Sequence, residues 1–99
     1  MPVPGHRPSA PIRWVRNPEL LTRSGAFGVL VLAASGSRPL LLEGTAVDLW
    51  LAVGRPKTDG QLVAELADRY GVEIGLVETD VHSALEQLRA AEIVVPAPR

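Results

Sequence analysis

The chain has no cysteine, so it can hold neither a disulfide framework nor a thiolate metal site, and a reducing compartment is compatible with it. Aromatic residues are scarce: two tryptophans, one tyrosine and one phenylalanine must anchor whatever core forms. No long hydrophobic run exists either, since the longest, Ala26 to Ala34 with Gly28 inside it, is far too short to cross a bilayer. Met1 to Pro8 lacks the apolar centre of a signal peptide. These absences read as a soluble, cytoplasmic protein with no membrane partner.

What is present is a globular composition, 46% apolar and 21% charged over 99 residues, which is enough for one small core. Five of the nine prolines fall before residue 20. The expected organisation is therefore an unstructured N-terminal tail over 1–11, a single domain over 12–95 and a short C-terminal tail over 96–99.

Charge is unevenly spread. Residues 1–42 carry five arginines against Glu19, a net of +4, whereas residues 43–99 carry five basic residues against ten acidic ones, a net of −5. The segment that patterns as helix is thus the acidic one.

Ile12-Arg13-Trp14-Val15-Arg16 alternates like a short strand and is broken by Asn17-Pro18. Leu20 to Arg23 reads as extended, and Phe27 to Leu32 is the strongest strand pattern in the chain. The turn Ala34 to Ser37 then leads back into Pro39-Leu40-Leu41-Leu42, giving an antiparallel meander. From Glu43 the period lengthens to 3.6. Ala46, Leu49, Trp50 and Val53 form the stripe of a first helix, with Thr45 and Asp48 at capping-box spacing and Gly54 with Pro56 as its stop. Leu62, Val63, Leu66, Ala67 and Tyr70 form a second stripe, capped by Thr58 or Asp59 and closed by Gly71. A third helix is expected from about Val77 to Ala91, with Val77, Val81, Ala84, Leu85, Leu88 and Ala91 inward, followed by extended Ile93-Val94-Val95. The fold class is α+β: a small winged helix-turn-helix-like domain, a three-stranded antiparallel sheet followed by three helices.

Two function classes share that outline, a DNA-binding regulator and a peptide-binding module. In the first, the third helix would enter the major groove, yet Leu76 to Glu92 holds Glu78, Asp80, Glu86 and Glu92 against Arg89 alone, a net of −3. Phosphates would repel it, so no nucleic-acid partner is expected. An acidic helix suits a basic or amphipathic peptide better.

No catalytic constellation is visible. His6 and His82 share no ligand spacing, the carboxylates scatter over helix surfaces, and neither a Ser-His-Asp order nor a phosphate-cradling glycine loop is present. The expectation is no metal, no cofactor and no enzymatic activity.

The residues Leu42-Glu43-Gly44-Thr45-Ala46-x-x-Leu49-Trp50, then Thr58-x-x-x-Leu62-x-x-x-Leu66-x-x-x-Tyr70, then Asp80-Val81-x-x-x-Leu85-x-x-Leu88 running to Ile93-Val94, together resemble the PqqD-like family. Its members are peptide chaperones, or recognition elements, that capture leader peptides during synthesis of ribosomally made, modified peptides. Glu43 stands where that family usually has Asn, and Glu92 where Gly often precedes the last apolar pair. The resemblance implies that the leader adds as a strand beside the Leu40–Leu42 edge, in a groove walled by the third helix. It also implies a partner enzyme such as a radical-SAM enzyme, cyclase or protease.

An apolar edge strand guarded only by Arg38, Pro39 and Glu43 agrees with that mode on physical grounds, because proteins normally blunt such edges. The candidate peptide-binding residues are Arg38, Leu40, Leu41 and Leu42 on the strand and Val81, His82, Leu85, Glu86 and Arg89 on the helix. A leucine triplet is also ordinary core material: Leu40 and Leu42 are expected to pack inward and Leu41 to point elsewhere. The same open edge would accept a second copy of the chain, making a homodimer.

Overall fold

The computed structural model describes residues 11–32 and 38–98; the tail with His6 and the turn Ala34 to Ser37 lie outside them. The order is β1 (Arg13–Arg16), β2 (Leu21–Gly25), β3 (Gly28–Leu32), β4 (Leu40–Leu42), α1 (Thr45–Ala52), β5 (Lys57–Thr58), α2 (Asp59–Tyr70), α3 (Ile74–Ala90) and β6 (Val94–Pro96). This is an α+β fold with two antiparallel sheets, ordered β5-β1-β6 and β2-β3-β4.

The first strand therefore does not join the meander. Trp14 pairs with Lys57 on one side and with Pro96 on the other, so β1 is the centre of a separate small sheet. Ile12 falls outside that strand and is exposed, while Trp14 is buried and donates from Nε1 to Asp59 Oδ1 at 2.6 Å. Arg16 ties the same sheet to α1. Its guanidinium stacks 3.8 Å from the Trp50 ring centroid, and its Nε and Nη2 donate to the carbonyls of Trp50 (2.8 Å) and Leu51 (3.3 Å) at the C-terminus of α1, the latter shared with the Gly54 N–H.

The helices follow their apolar stripes. Leu49, Trp50 and Val53, then Leu62, Val63, Leu66 and Ala67, then Val77, Val81, Leu85 and Leu88 meet Val29, Val31 and Leu42 of the meander in one core. Ala84 is only half-buried and Ala91 is exposed, so the inward stripe of α3 is narrower than its sequence suggests. That helix also starts earlier than expected, at Ile74.

Thr58 caps α2 through a complete capping box with Gln61, and Gly71 closes it in the left-handed conformation. Thr45 caps nothing. Gly44 is the N-cap of α1 at φ 58 and ψ −130, a conformation open to glycine, and no side chain bonds the first turn. The chain must reverse so sharply after β4 that a capping Thr cannot occupy the N-cap position.

The end of α3 repeats the Gly71 geometry with a different residue. Glu92 adopts φ 58, its N–H donates to the Arg89 carbonyl and the N–H of Ile93 to the Leu88 carbonyl, forming a Schellman motif. Asn17 braces this turn by donating from Nδ2 to the Glu92 carbonyl at 2.9 Å.

Candidate peptide-binding edge and groove

Strand β4 is paired with β3 alone among the described residues, in the register Val29↔Leu42, Leu30↔Leu41 and Val31↔Leu40. The direction of each backbone group follows from the hairpin. A two-residue turn, Ala26-Phe27, makes Gly25↔Gly28 a hydrogen-bonded pair, so Gly28, Leu30 and Leu32 bond towards β2, and Val29 and Val31 bond towards β4. Leu42 and Leu40 are then the residues that bond to β3. The N–H and C=O of Leu41 project from the free edge, where a further strand would pair.

Gly28 fixes how closely β4 approaches. Its φ is +118, and a Cβ there would overlap the Leu42 carbonyl oxygen. The opposite edge of the sheet is unlike this one: β2 is exposed along its length, but it carries Thr22, Arg23 and Ser24, polar and charged side chains of the kind that blunt an edge.

Beside the free edge runs a groove. A cavity of about 260 Å³ is lined by Leu40, Leu41, Leu42, Glu43, Ala46, Gln87 and Leu88, between β4 and the C-terminal half of α3. Through Glu43, Ala46 and Gln87 it continues into a second cavity of about 260 Å³ that adds Thr45, Asp80, Ser83 and Ala84. The hollow exists because Ala46, Ser83 and Ala84 are small where α1 and α3 face each other. A wider hollow of about 450 Å³ lies under Phe27 at the tip of the β2–β3 hairpin and is not lined by the free edge.

The candidate residues fall in different places. Arg38 is exposed just before β4. Leu42 is 3% exposed and belongs to the core, whereas Leu40, expected inward, is 44% exposed at the mouth of the groove, because it begins the strand and has little above it. Leu41 is 43% exposed and points to the outer face of the sheet. Val81 and Leu85 are buried in the core under α3, with no surface left for a ligand. His82, Glu86 and Arg89 are exposed, and none of them lines the groove. They share the opposite flank of α3, where Arg89 Nε donates to Glu86 Oε2 at 3.0 Å and this bond holds the Glu86 carboxyl below the usual carboxylate range.

The helix wall of the groove is instead Asp80, Ser83, Ala84, Gln87 and Leu88. Helical spacing separates the two flanks but does not say which one β4 lies against. The one clue in the sequence was the coincidence of small residues, Ala46 on α1 with Ser83 and Ala84 on α3.

The fold has solved counterparts. A lasso peptide synthetase B1 complexed with its leader peptide aligns with TM-score 0.67 at 20% identity, covering 84% of this chain and 98% of that one. TbiB1 in complex with the TbiA(beta) leader peptide aligns with TM-score 0.69 at 17% identity, covering 86% and 99%. The PqqD truncation of Methylobacterium extorquens PqqCD, a stand-alone recognition element for ribosomally synthesized and post-translationally modified peptides, aligns with TM-score 0.65 at 19% identity, covering 84% and 88%. At such identities the likeness establishes the fold. No curated protein matches by sequence. The family model described as coenzyme PQQ synthesis protein D (PqqD) matches residues 28–94, which includes β3, β4 and all three helices, and the chain belongs to that family.

Proposed function

We propose that this protein is a recognition element that binds the leader segment of a precursor peptide as an added strand on β4 and presents the remainder to a separate modifying enzyme. The observation that carries the reading is the backbone of Leu41, whose N–H and C=O face an unpaired edge directly beside a groove between β4 and α3. Strand addition would satisfy those groups, and side chains on one face of the peptide would fill the groove beside Leu40 and Leu88. Two structural neighbours were solved with leader peptides, which supports a leader peptide as the ligand here.

No catalytic group is required of such a protein. Holding the leader near an enzyme turns a weak encounter into a nearly intramolecular one by effective concentration. The proposed partner is a modifying enzyme such as a radical-SAM enzyme, cyclase or protease. The acidity of α3 favours this reading over DNA binding: the folded helix holds Glu78, Asp80 and Glu86 against Arg89, with Glu73 at its N-cap and Glu92 just past its end.

The test is a nuclear magnetic resonance titration of isotope-labelled protein with synthetic N-terminal segments of any short precursor peptides found encoded near its gene. The Leu41 amide should exchange rapidly in the free monomer, then shift and become protected on binding. Binding that leaves β4 unperturbed would overturn the reading, as would a salt-sensitive complex with mixed-sequence duplex DNA. Protection in the free protein that fades on dilution would assign the edge to a second copy of the chain.

A further inference from the structure

Among the described residues, no Lys, Arg or His lines either cavity of the groove. The charged residues that line them there are Glu43, where the chain leaves β4, and Asp80, on the facing turns of α3. Neither takes part in an ion pair among the described residues, where Lys57–Glu65, Arg69–Asp48 and Arg89–Glu86 are the pairs formed. Glu43 lines both cavities and Asp80 the one that extends past Leu42, while Leu40, Leu42 and Leu88 line the one beside the strand. The site thus grades from a leucine-lined compartment into one flanked by both carboxylates, and the sheet edge fixes the axis along which a peptide runs from the first to the second.

On the premise that β4 captures a strand, we propose that the groove selects peptides in which an apolar residue is followed or preceded, two positions away, by Lys or Arg. The spacing follows from strand geometry. Alternate residues of an added strand face the same side, about 7 Å apart, so an apolar side chain seated beside Leu40 and Leu88 puts the next groove-facing side chain beside Leu42, the last residue of β4, from where a long side chain reaches towards Glu43 and Asp80. A long basic side chain suits that second position, since its methylenes can lie on Ala46 and Ala84 while its charge reaches the carboxylates. Asp or Glu there would meet two like charges. The intervening residue points to the outer face, beside Leu41, and is left unspecified. Glu43 and Asp80 are accordingly the specificity-determining residues of the groove, and Leu40 and Leu88 its anchor.

The experiment is affinity selection of an mRNA-displayed library of random twelve-residue peptides, run in parallel on the full chain, on a Glu43→Gln/Asp80→Asn variant and on a Glu43→Lys/Asp80→Lys variant. All four substitutions are on exposed side chains. Circular dichroism and the thermal midpoint establish that the variants are folded before selection. The full chain should enrich an apolar residue and a Lys or Arg two apart. The neutral variant should keep the apolar preference and bind those peptides about three- to tenfold more weakly at low salt, as expected for two exposed ion pairs. The reversed variant should enrich Asp or Glu at the same position.

Enrichment of apolar residues with no charge preference, on peptides that shift the Leu40–Leu42 amides, would overturn the selectivity and leave strand capture standing. Enriched peptides that shift other amides, or no enrichment at all, would overturn both.

Discussion

In the sheet β5-β1-β6 the outer strands are two and three residues long, and each runs into structure that covers it: Thr58 of β5 is itself the N-cap of α2, and β6 packs against α3. Its central strand sends side chains outward as ties, Trp14 to Asp59 and Arg16 to the end of α1. The sheet β2-β3-β4 is built on two five-residue strands, meets the helices through the inner faces of Val29, Val31 and Leu42, and among the described residues leaves the outer edge of β4 unpaired next to a groove. The contrast separates two tasks within one small core. The first sheet fastens the helices, and the second offers an edge whose geometry its own β2–β3 hairpin and Gly28 set.

Substitution can break that separation at its most sensitive point. Gly28→Ala places a Cβ against the Leu42 carbonyl at a φ that alanine rarely adopts, so β4 must leave β3 or the hairpin must distort. A destabilisation of about 3 kcal/mol is expected, with a midpoint lower by roughly 12–24 °C for a domain of this size, and peptide capture should be lost with it. A near-native midpoint in thermal denaturation would mean that Gly28 does not hold β4 in place.

A second substitution should affect capture without comparable damage. Leu41→Pro removes the amide aimed at the free edge but no bond to β3, and its only other loss is an exposed cross-strand contact with Leu30. Peptide affinity should fall at least tenfold while stability changes by less than about 1 kcal/mol. A large loss of stability with retained binding would invert the assignment of the Leu41 amide, and with it the reading of the edge.

The complementary change lies in the first sheet. Arg16→Met keeps much of the side-chain bulk but removes the stacking on Trp50 and the two bonds to the α1 carbonyls. It should cost about 1–2 kcal/mol, measured by chemical denaturation, and leave peptide affinity unchanged once the protein is folded. A parallel drop in affinity would show that α1, and through Ala46 the groove, depends on that tie.

These expectations rest on features that the sequence displays unequally. Helical stripes and a cap at Thr58 or Asp59, which the structure resolves to Thr58, are local, recurring within four residues, and could be read directly; so could Leu40–Leu42 as a poorly guarded edge. The pairing of β1 with Lys57-Thr58 and Val94–Pro96 could not, because contacts between residues 43 to 82 positions apart leave no period in either segment. The groove wall was missed for a related reason. His82, Glu86 and Arg89 on one flank and Asp80, Ser83 and Gln87 on the other are equally polar, and only the packing of α1 and β4 against α3 decides between them. The supposed cap at Thr45 failed because a local motif met a turn whose backbone angles admit Gly44 instead.

The smallest effect is also the sharpest check on whether the two tasks are independent. Glu92 holds the left-handed position of the turn between α3 and β6, with φ 58, and the bonds it makes there are all from its backbone: its N–H to Arg89, and its carbonyl from Asn17. A side chain at that position carries a steric penalty of about 1–2 kcal/mol that glycine avoids, partly offset by the greater freedom glycine gains in the unfolded chain. Glu92→Gly should therefore stabilise the protein by about 0.5–1 kcal/mol, raising the midpoint by roughly 2–8 °C. The substitution also removes a carboxylate just beyond α3, but one that lines neither cavity of the groove. If fastening and capture are separate, affinity for a basic peptide should be unaltered at moderate salt while the midpoint rises. A weaker complex at low salt alone would mean that the field of the whole helix end, and not Glu43 and Asp80 by themselves, draws the peptide in. A midpoint that falls would show that the Glu92 side chain makes a stabilising contact that outweighs its backbone strain.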